Sequence, residues 1–278
     1  MQSQSQFDQR VDREVSAFGK SFRTVIKAAI MAALTMGASQ SMAFDKTHAS
    51  WTALLKQYQT TDGRVKYAQL KKDAAAATHP FNVYLKDAQA IKMSEYKTWS
   101  KGDQMAFLIN SYNALTIKLI VDNYPVASIK KIGGVFSKPW GIEFFSLLDD
   151  SLKSLDPIEH KTLRPQFKDF RVHAAVNCAS ASCPPLRHEA FVGERIDAQL
   201  DEQMRAWLAD SSRNEFDAKT GELKISKIFD WYKDDFENWG GGVKTVLKKY
   251  APTGAQAAFA KDGEISYLEY DWSLNESK

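Results

Sequence analysis

The longest helix-forming stretch of the chain carries apolar side chains on almost every face. A turn at Gly102-Asp103 precedes it, Asp103 is a suitable N-cap, and Tyr124-Pro125 ends it, so the pattern predicts a helix over 104–123. The apolar residues are Met105, Phe107, Leu108, Ile109, Leu115, Ile117, Leu119 and Ile120. A helix that is apolar all round has to be enclosed by other elements. The sequence therefore predicts a domain built around a buried central helix.

Polar side chains interrupt the apolar surface of this helix. Asn110 and Asn113 are three residues apart and share a face, with Tyr112 between them. Buried amides need hydrogen-bond partners. The two asparagines either cross-link the helix to neighbouring backbone or line a binding site. On the second alternative Asn110, Tyr112 and Asn113 bind substrate, and Arg171 is a further candidate for that role.

The rest of the chain mixes helical and strand patterns. Alternation predicts strands at 222–225 and 264–272, and two short strands are expected before Asp149-Asp150. His48 and His79 lie at element ends and are expected at the surface. Apolar spacing and helix propensity predict helices over 51–58, 68–77, 81–90, 191–209 and 243–250. The predicted fold class is α/β (α+β), with a single helix-rich domain around a modest mixed sheet.

The N-terminus has the features of an export signal. Lys20, Arg23 and Lys27 precede a short apolar run over 28–38, and Ser41-Met42-Ala43 is a small-x-small cleavage site. We expect residues 1–43 to be a leader and signal peptide and residues 44–278 to be one globular domain, periplasmic or secreted. The alternative is an N-terminal amphipathic or anchor helix. The remaining chain is nearly neutral, with no long apolar run and no basic patch among aromatics, so neither a membrane span nor a nucleic-acid partner is expected.

Reactive side chains concentrate between residues 170 and 185. The alternation over 170–176 predicts a strand, with Arg171 and His173 on one face. The small residues over 177–182 suit a tight turn, and Pro184-Pro185 cannot continue a central strand. This stretch holds both cysteines of the chain, Cys178 and Cys183.

The two cysteines allow three interpretations. In an exported protein they are first expected to form a disulfide. Alternatively, Cys178 is a thiolate nucleophile activated by a nearby base, or the pair is redox-switchable. Two cysteines with His173 supply at most three metal ligands and match no zinc spacing, so we predict neither a metal site nor a cofactor.

The base that activates Cys178 is expected to lie outside the predicted strand over 170–176. Five residues of strand place His173 about 17 Å from Cys178 and on the opposite face. His160 is the preferred base, with Glu159 orienting it, and His173 stays a further catalytic candidate. Asp156, Pro157 and Glu159 also fit the first turn of a short helix, so Glu159 has an alternative role as a capping residue only.

Five motifs resemble the bacterial exported branch of the domain-of-unknown-function 547 (DUF547) family. They are residues 105–115, 158–165, 171–178 with 183–186, 226–232 and 267–272, and the resemblance covers most of residues 50–275. It implies a cysteine-histidine-glutamate set like that of thiol hydrolases, here Cys178, His160 and Glu159, on a fold distantly similar to papain. It also makes binding of a small thiol or peptide, such as glutathione, a plausible activity. The papain pattern places its nucleophile on a buried helix, where this chain offers only Ser111.

These observations lead to three hypotheses about function. The first is a thiol-dependent hydrolase or transferase in which Cys178 attacks, His160 acts as base and then acid, Glu159 orients the imidazole, and Asn110 or Asn113 donates to an oxyanion. The second is a non-catalytic binding module for a small molecule or peptide, with a structural disulfide. The third is a redox-active Cys178–Cys183 pair that exchanges with a small thiol.

Overall fold

A computed structural model describes residues 43–134, 138–261 and 263–277. The chain from Phe44 onward forms one compact unit. The predicted leader and signal peptide, residues 1–43, lie outside the described residues except for Ala43.

The predicted central helix is confirmed. It spans Lys101–Asn123 (α5), and every residue from Gln104 to Val121 except Lys118 is buried. Its N-cap is Ser100 rather than Asp103, because the Ser100 hydroxyl accepts the backbone N–H of Asp103 at 3.0 Å. Four preceding helices form the N-terminal part of the domain: α1 (Ala49–Tyr58), α2 (Tyr67–Asp73), α3 (Pro80–Ala90) and α4 (Met93–Tyr96). Of these, α2 and α3 pack directly on α5, and α1 packs on both of them.

Short helical segments dominate the second half of the domain. A π-helix at Pro157–Leu163 continues into α6 (Arg164–Phe167). Further on lie α7 (Val172–Ala175), α8 (Ile196–Ala209), α9 (Ile228–Trp231), α10 (Lys233–Gly240), α11 (Val243–Tyr250) and α12 (Gln256–Phe259). Single 3₁₀ turns occupy Ile129–Lys131, Pro139–Gly141, Gly193–Arg195 and Thr253–Ala255.

The sheet is small and mixed. Its strands are β1 (Glu215–Phe216), β2 (Leu223–Ile225) and β3 (Ile265–Tyr267), in the order β1-β2-β3. β1 pairs antiparallel with β2, and β3 pairs parallel with β2, with Lys224 opposite Ser266. The predicted class, a helix-rich α+β domain with a modest mixed sheet, is confirmed.

The predicted strands were longer than the observed ones in two places. Of the strand expected over 264–272, only Ile265–Tyr267 pairs. The two strands expected before Asp149-Asp150 reduce to a single bridge between Leu147 and Leu152. Three consecutive residues, Leu148, Asp149 and Asp150, have positive φ angles of 53°, 55° and 62°, and such a backbone turns too tightly to extend a ladder.

Two hydrophobic clusters meet at α7. The larger cluster surrounds α5 and includes Val172, whereas the smaller one includes Ala174. In the smaller cluster the rings of Trp207 and Phe229 stack 4.7 Å apart. Val172 and Ala175 of α7 thus pack in the larger cluster and Ala174 packs in the smaller one. The ring of His173 lies against Tyr232 and Phe236, on the side of the smaller cluster.

The strand predicted over 170–176 is wrong. Val172–Ala175 is a helical turn, opened by the Asp169 carboxylate, which accepts the backbone N–H of Arg171 at 2.9 Å. All four residues of the turn are buried. Apolar periodicity reports which face of an element is buried, so it carries no information where every face is buried. The two alanines then favour the helix.

His48 is buried and not at the surface as predicted. It is 1% exposed, its Nδ1 lies 2.8 Å from the Tyr84 hydroxyl, and Phe44 packs edge-on against its ring. Burial lowers the pKa of His48 to about 4, although the charges of Asp45 and Asp103 oppose the shift.

We expect His48 to make the domain less stable in acid. Its pKa is lower in the folded than in the unfolded chain, so the unfolded chain binds more protons between pH 6.5 and 4. The His48 contribution is therefore intact above pH 6.5 and falls as the pH drops, by about 2.5 kcal/mol at pH 4.5. Urea unfolding at pH 7.5 and 4.5 measures this loss. The unfolding free energy of His48→Gln should change less between these two pH values, by about that amount. An unchanged pH dependence in the variant would contradict the assignment.

Candidate active site: a pocket around the disulfide

An open pocket of about 300 Å³ gathers most of the predicted catalytic side chains. Cys178, His160, Glu159 and His173 all line it, and so does Tyr112 from α5. The remaining wall is largely aromatic and includes Trp140, Trp231, Tyr232, Tyr270 and Trp272. Residues that are up to 160 positions apart in the sequence thus meet in one concave site, the usual setting for small-molecule binding.

Cys178 and Cys183 form a disulfide, with their Cα atoms 6.3 Å apart. Of the open alternatives for these cysteines, the bonded state is the one observed. Both cysteines line the pocket, but they differ in exposure. Cys178 is partly exposed, whereas Cys183 is 2% exposed and is approached by the Cys178 backbone N–H at 3.0 Å. The hydroxyls of Ser180 and Tyr270 lie near both sulfurs, 3.3 Å each from the Cys183 Sγ and 3.2 and 3.3 Å from the Cys178 Sγ, and they are 2.8 Å from each other.

The turn between the cysteines is held by side chains from several elements. The Asn177 carboxamide accepts the N–H of Ala179 and donates to the Pro184 carbonyl, both at 2.9 Å. The Arg213 guanidinium donates to the carbonyls of Cys183 and Ala181. The left-handed backbone at Ala179, with φ of 61°, is therefore fixed from both sides. A loop held this way keeps the two sulfurs in defined positions.

Asn110 and Asn113 cross-link the helix to neighbouring backbone and do not line this pocket. Asn113 donates to the Ala175 carbonyl at 2.9 Å and accepts the N–H of Asn177 at 2.8 Å. Asn110 makes the same two-way bond with the backbone of Phe191, at 2.7 and 3.0 Å. Asn113 thus holds the segment that leads from α7 to Cys178, and Asn110 holds the chain at Phe191.

His173 is buried and held at one ring nitrogen. Its Nε2 lies 2.8 Å from Asp235 Oδ2, and its ring stacks on Tyr232 with centroids 3.9 Å apart. Its Nδ1 is buried and has no hydrogen-bond partner among the described residues. Burial lowers the pKa of His173, despite the opposing bond to Asp235, so the imidazole is neutral at pH 7. A neutral imidazole with a free nitrogen is able to accept a proton.

The Asp235 carboxylate is the hydrogen-bond partner of both His173 and Arg164. Besides His173 it binds Arg164, whose Nε and second terminal nitrogen donate to its carboxylate at 2.6 and 3.0 Å. Burial alone would raise the pKa of Asp235, but the hydrogen bonds from His173 and Arg164 outweigh it and lower the pKa to about 2. Asp235 is thus an ionised carboxylate that orients the His173 ring.

The predicted separation of His173 from Cys178 is wrong. It assumed a strand, whereas the chain makes a helical turn at Val172–Ala175 before extending at Val176, and both side chains line the same pocket.

Glu159 and His160 lie on the π-helix, but no hydrogen bond between their side chains is found in the described part of the chain. The Glu159 carboxylate accepts from the Tyr232 hydroxyl at 2.7 Å. His160 Nδ1 lies 2.9 Å from an Arg164 nitrogen, and its side chain is 39% exposed. Asp156 makes no capping bond, because its own backbone is already helical. The helix also runs past Pro165 to Phe167, since the first turn of α6 needs no N–H from that proline.

Arg171 lies away from the pocket lining. Its guanidinium forms ion pairs with Asp169, Asp197 and Asp201 at 2.6, 2.7 and 2.8 Å. These pairs connect the start of α7 to α8, which indicates a stabilising role.

Several residues of the site were missed by sequence reasoning. Asp235, Tyr232, Ser180, Tyr270 and Trp272 had no assigned role, although three of them lie in the 226–232 and 267–272 motifs. Trp231, Tyr270 and Trp272 pack ring against ring with centroids 4.5 to 5.6 Å apart, and Trp231 is 45% exposed. The aromatic residues in those two motifs were the available signal.

Within the described ranges, no group of three or more His, Cys, Asp or Glu side chains is arranged to hold a metal ion. No helix in those ranges combines the length and apolar character that crossing a membrane requires.

Comparison with known proteins identifies one family. Residues 96–208 match the family model described as "Protein of unknown function, DUF547". No match was found among curated proteins or among solved structures. The matched segment contains Glu159, His160, His173 and both cysteines, whereas Asp235 lies beyond it. The resemblance to the DUF547 family that was found in the sequence is confirmed over residues 96–208, which match the model of this family.

Proposed function

We propose that the Cys178–Cys183 disulfide is a redox-active pair that exchanges with a small thiol bound in the pocket. The observation that carries this proposal is the difference between the two sulfurs. Both cysteines line the pocket, and the hydroxyls of Ser180 and Tyr270 lie near both sulfurs. Cys178 is partly exposed, whereas Cys183 is 2% exposed and its sulfur accepts the Cys178 backbone N–H. A thiol entering the pocket reaches the more exposed Cys178. The negative charge of the leaving sulfur then develops on Cys183, where the Cys178 N–H and the hydroxyls of Ser180 and Tyr270 can donate to it.

The exchange proceeds in two balanced steps. The thiolate of the small molecule attacks Cys178 Sγ, the bond between the cysteines breaks, and Cys183 leaves with the electron pair as a thiolate. A second small thiolate then attacks the outer sulfur of the mixed disulfide and releases Cys178 as a thiolate. Two small thiols are oxidised to one disulfide, the protein disulfide is reduced, and the two thiol protons end on the two cysteines.

His173 is the base that we assign to the incoming thiol. Its unpartnered Nδ1 and its neutral state support this role, and Asp235 holds the ring through Nε2. This replaces His160, whose Nδ1 is engaged by Arg164.

The opening of the disulfide by glutathione tests the proposal. We expect the folded protein to open through a mixed disulfide, and His173→Gln to slow this about a hundredfold at neutral pH. The rates of disulfide opening in the variant and in the natural protein should converge at high pH, where the thiol is already ionised. Equal slowing at every pH would indicate a structural role for His173, and a disulfide that opens only on unfolding would exclude exchange.

A thiol hydrolase or transferase is a second candidate, favoured by the Asp235–His173 pair, whose histidine lines the same pocket as Cys178. After reduction, Cys178 would attack an acyl carbon with His173 as base, and the resulting thioester would pass its acyl group to water or to another acceptor. The Glu159–His160 arrangement is less suitable because Glu159 accepts from Tyr232. A burst of nitrophenol from a p-nitrophenyl ester, given by reduced protein only, would support this candidate. Without a burst, disulfide exchange stays as the one proposed activity.

We also propose that the protein acts outside the cytoplasm, in the periplasm or the medium. Disulfides persist in oxidising compartments, and the sequence predicts a signal peptide over residues 1–43. The exported chain should begin at Phe44 on N-terminal sequencing. A cytoplasmic chain that retains residues 1–43 would contradict this.

A further inference from the structure

A second groove, of about 510 Å³, uses other residues of the same π-helix. Lys161 and Thr162 of the π-helix line it, and so does Ser151 from the loop before the π-helix. The other side of the groove is lined by Lys97 and Lys101, near the start of α5. Glu159 and His160 line the disulfide pocket instead. We call this second site the basic groove.

The basic groove has an uncompensated positive charge. Three lysines, Lys97, Lys101 and Lys161, line it, and its lining contains no Asp or Glu. The acidic residues that adjoin lining residues in the sequence do not line the groove themselves; they are Glu95, Asp103, Asp149, Asp150 and Asp156. Of these, Asp103 is paired with Lys46 at 2.9 Å and Asp149 with Lys92 at 3.1 Å.

The ammonium groups of the basic groove are available to a ligand. Within the part of the chain that the structure describes, Lys97 and Lys161 have no ion-pair partner, and Lys101 makes only a 3.5 Å contact with the Gln104 carboxamide. All three lysines are exposed. Like charges that face one space repel each other, and a multiply charged anion would relieve that repulsion.

The wall of the groove presents a buried hydroxyl donor. Tyr96 is 4% exposed, and its oxygen receives only a 3.5 Å contact from Gln166. No described residue accepts the hydrogen of this hydroxyl, and burial raises the pKa of Tyr96 to about 12, so the proton is retained at neutral pH. Gln104 bonds to the carbonyls of Tyr96 and Trp99 and to Gln166, which fixes the wall.

We propose that the basic groove binds a small anion with two or more negative charges, carried by phosphate or carboxylate groups. The three unpaired ammonium groups neutralise the charge, and the Tyr96 hydroxyl donates to one oxygen. The volume falls in the range of pockets for small molecules. This site is independent of the disulfide pocket and of the function proposed there.

Calorimetric titration of the full chain, in its disulfide form, with inorganic pyrophosphate and separately with citrate tests the site. We expect one equivalent of at least one anion to bind, and the tighter one identifies the charged group. Lys97→Gln, Lys101→Gln and Lys161→Gln should each weaken binding about tenfold, and Tyr96→Phe should do so to a similar extent.

A triple variant at exposed lysines outside the groove is the matched control. Lys56→Gln, Lys72→Gln and Lys86→Gln together lower the net charge as much as the three groove substitutions and should leave the affinity unchanged. Because all six lysines are exposed, the variants should fold. Binding of neither anion, or equal weakening by the control triple, would overturn the proposal.

Discussion

Removal of both hydroxyls next to Cys183, in Ser180→Ala combined with Tyr270→Phe, should slow opening of the disulfide by a small thiol about a hundredfold. Each hydroxyl lies 3.3 Å from the Cys183 Sγ, and Ser180 is fully buried. Burial raises the pKa of Tyr270, so its hydroxyl stays a donor at neutral pH. A hydrogen bond to a charged group contributes about 1.5–3 kcal/mol, and part of that is already present in the transition state as charge develops on the leaving sulfur.

The rate constant for glutathione, measured by release of free thiol, checks this expectation. Ser182→Ala is the matched control, because the Ser182 hydroxyl accepts the N–H of Asp271 and bonds to neither sulfur. The control should react like the natural protein. Equal rates in the double variant and the control would show that the two hydroxyls do not stabilise the leaving sulfur.

Asp235→Ala should destabilise the domain by about 3–5 kcal/mol, the usual cost of removing one partner from a buried ion pair. Asp235 is 5% exposed and is the shared partner of Arg164 and His173. Without it the guanidinium loses two charge-assisted bonds and the imidazole loses its Nε2 partner. Urea unfolding at pH 7 measures the loss. Asp234→Asn, at an exposed neighbour on α10, should change the stability by less than about 0.5 kcal/mol.

The effect of Asp235→Ala should also depend on pH. The pKa of Asp235 is about 2 in the folded protein, below its ordinary value of 3.8. Its charge-dependent contribution is therefore complete above about pH 4 and is lost as the pH falls from 3.8 towards 2. The difference between variant and natural protein should narrow over that interval. A constant difference down to pH 2 would mean that the ion pairs contribute little.

The features that local patterns encode were predictable. The central helix was predicted because apolar residues on all its faces require enclosure. The two strands that form the parallel pair, near 223–225 and 265–267, were recognised by alternation. The cysteines, His160, Glu159, His173 and Tyr112 were selected for their chemistry, and the fold brings them to one pocket.

The organisation of the site was not predictable because it depends on contacts between distant segments. His173 is held by Asp235, 62 positions later, and the sulfurs are approached by Tyr270, about 90 positions later. The turn at Val172–Ala175 is buried on every side, so its alternating pattern was misread as a strand, and the separation of His173 from Cys178 followed from that error.

The identity of the attacked sulfur tests the central claim most directly. Folded protein is exposed briefly to glutathione, quenched with acid, alkylated, and digested for peptide mass spectrometry. We predict glutathione on Cys178 and the alkyl group on Cys183, since both cysteines line the pocket but Cys178 is the more exposed, and the Cys178 N–H donates to the Cys183 sulfur. Glutathione found on Cys183, or a folded protein that forms no adduct at either cysteine, would contradict the proposed exchange.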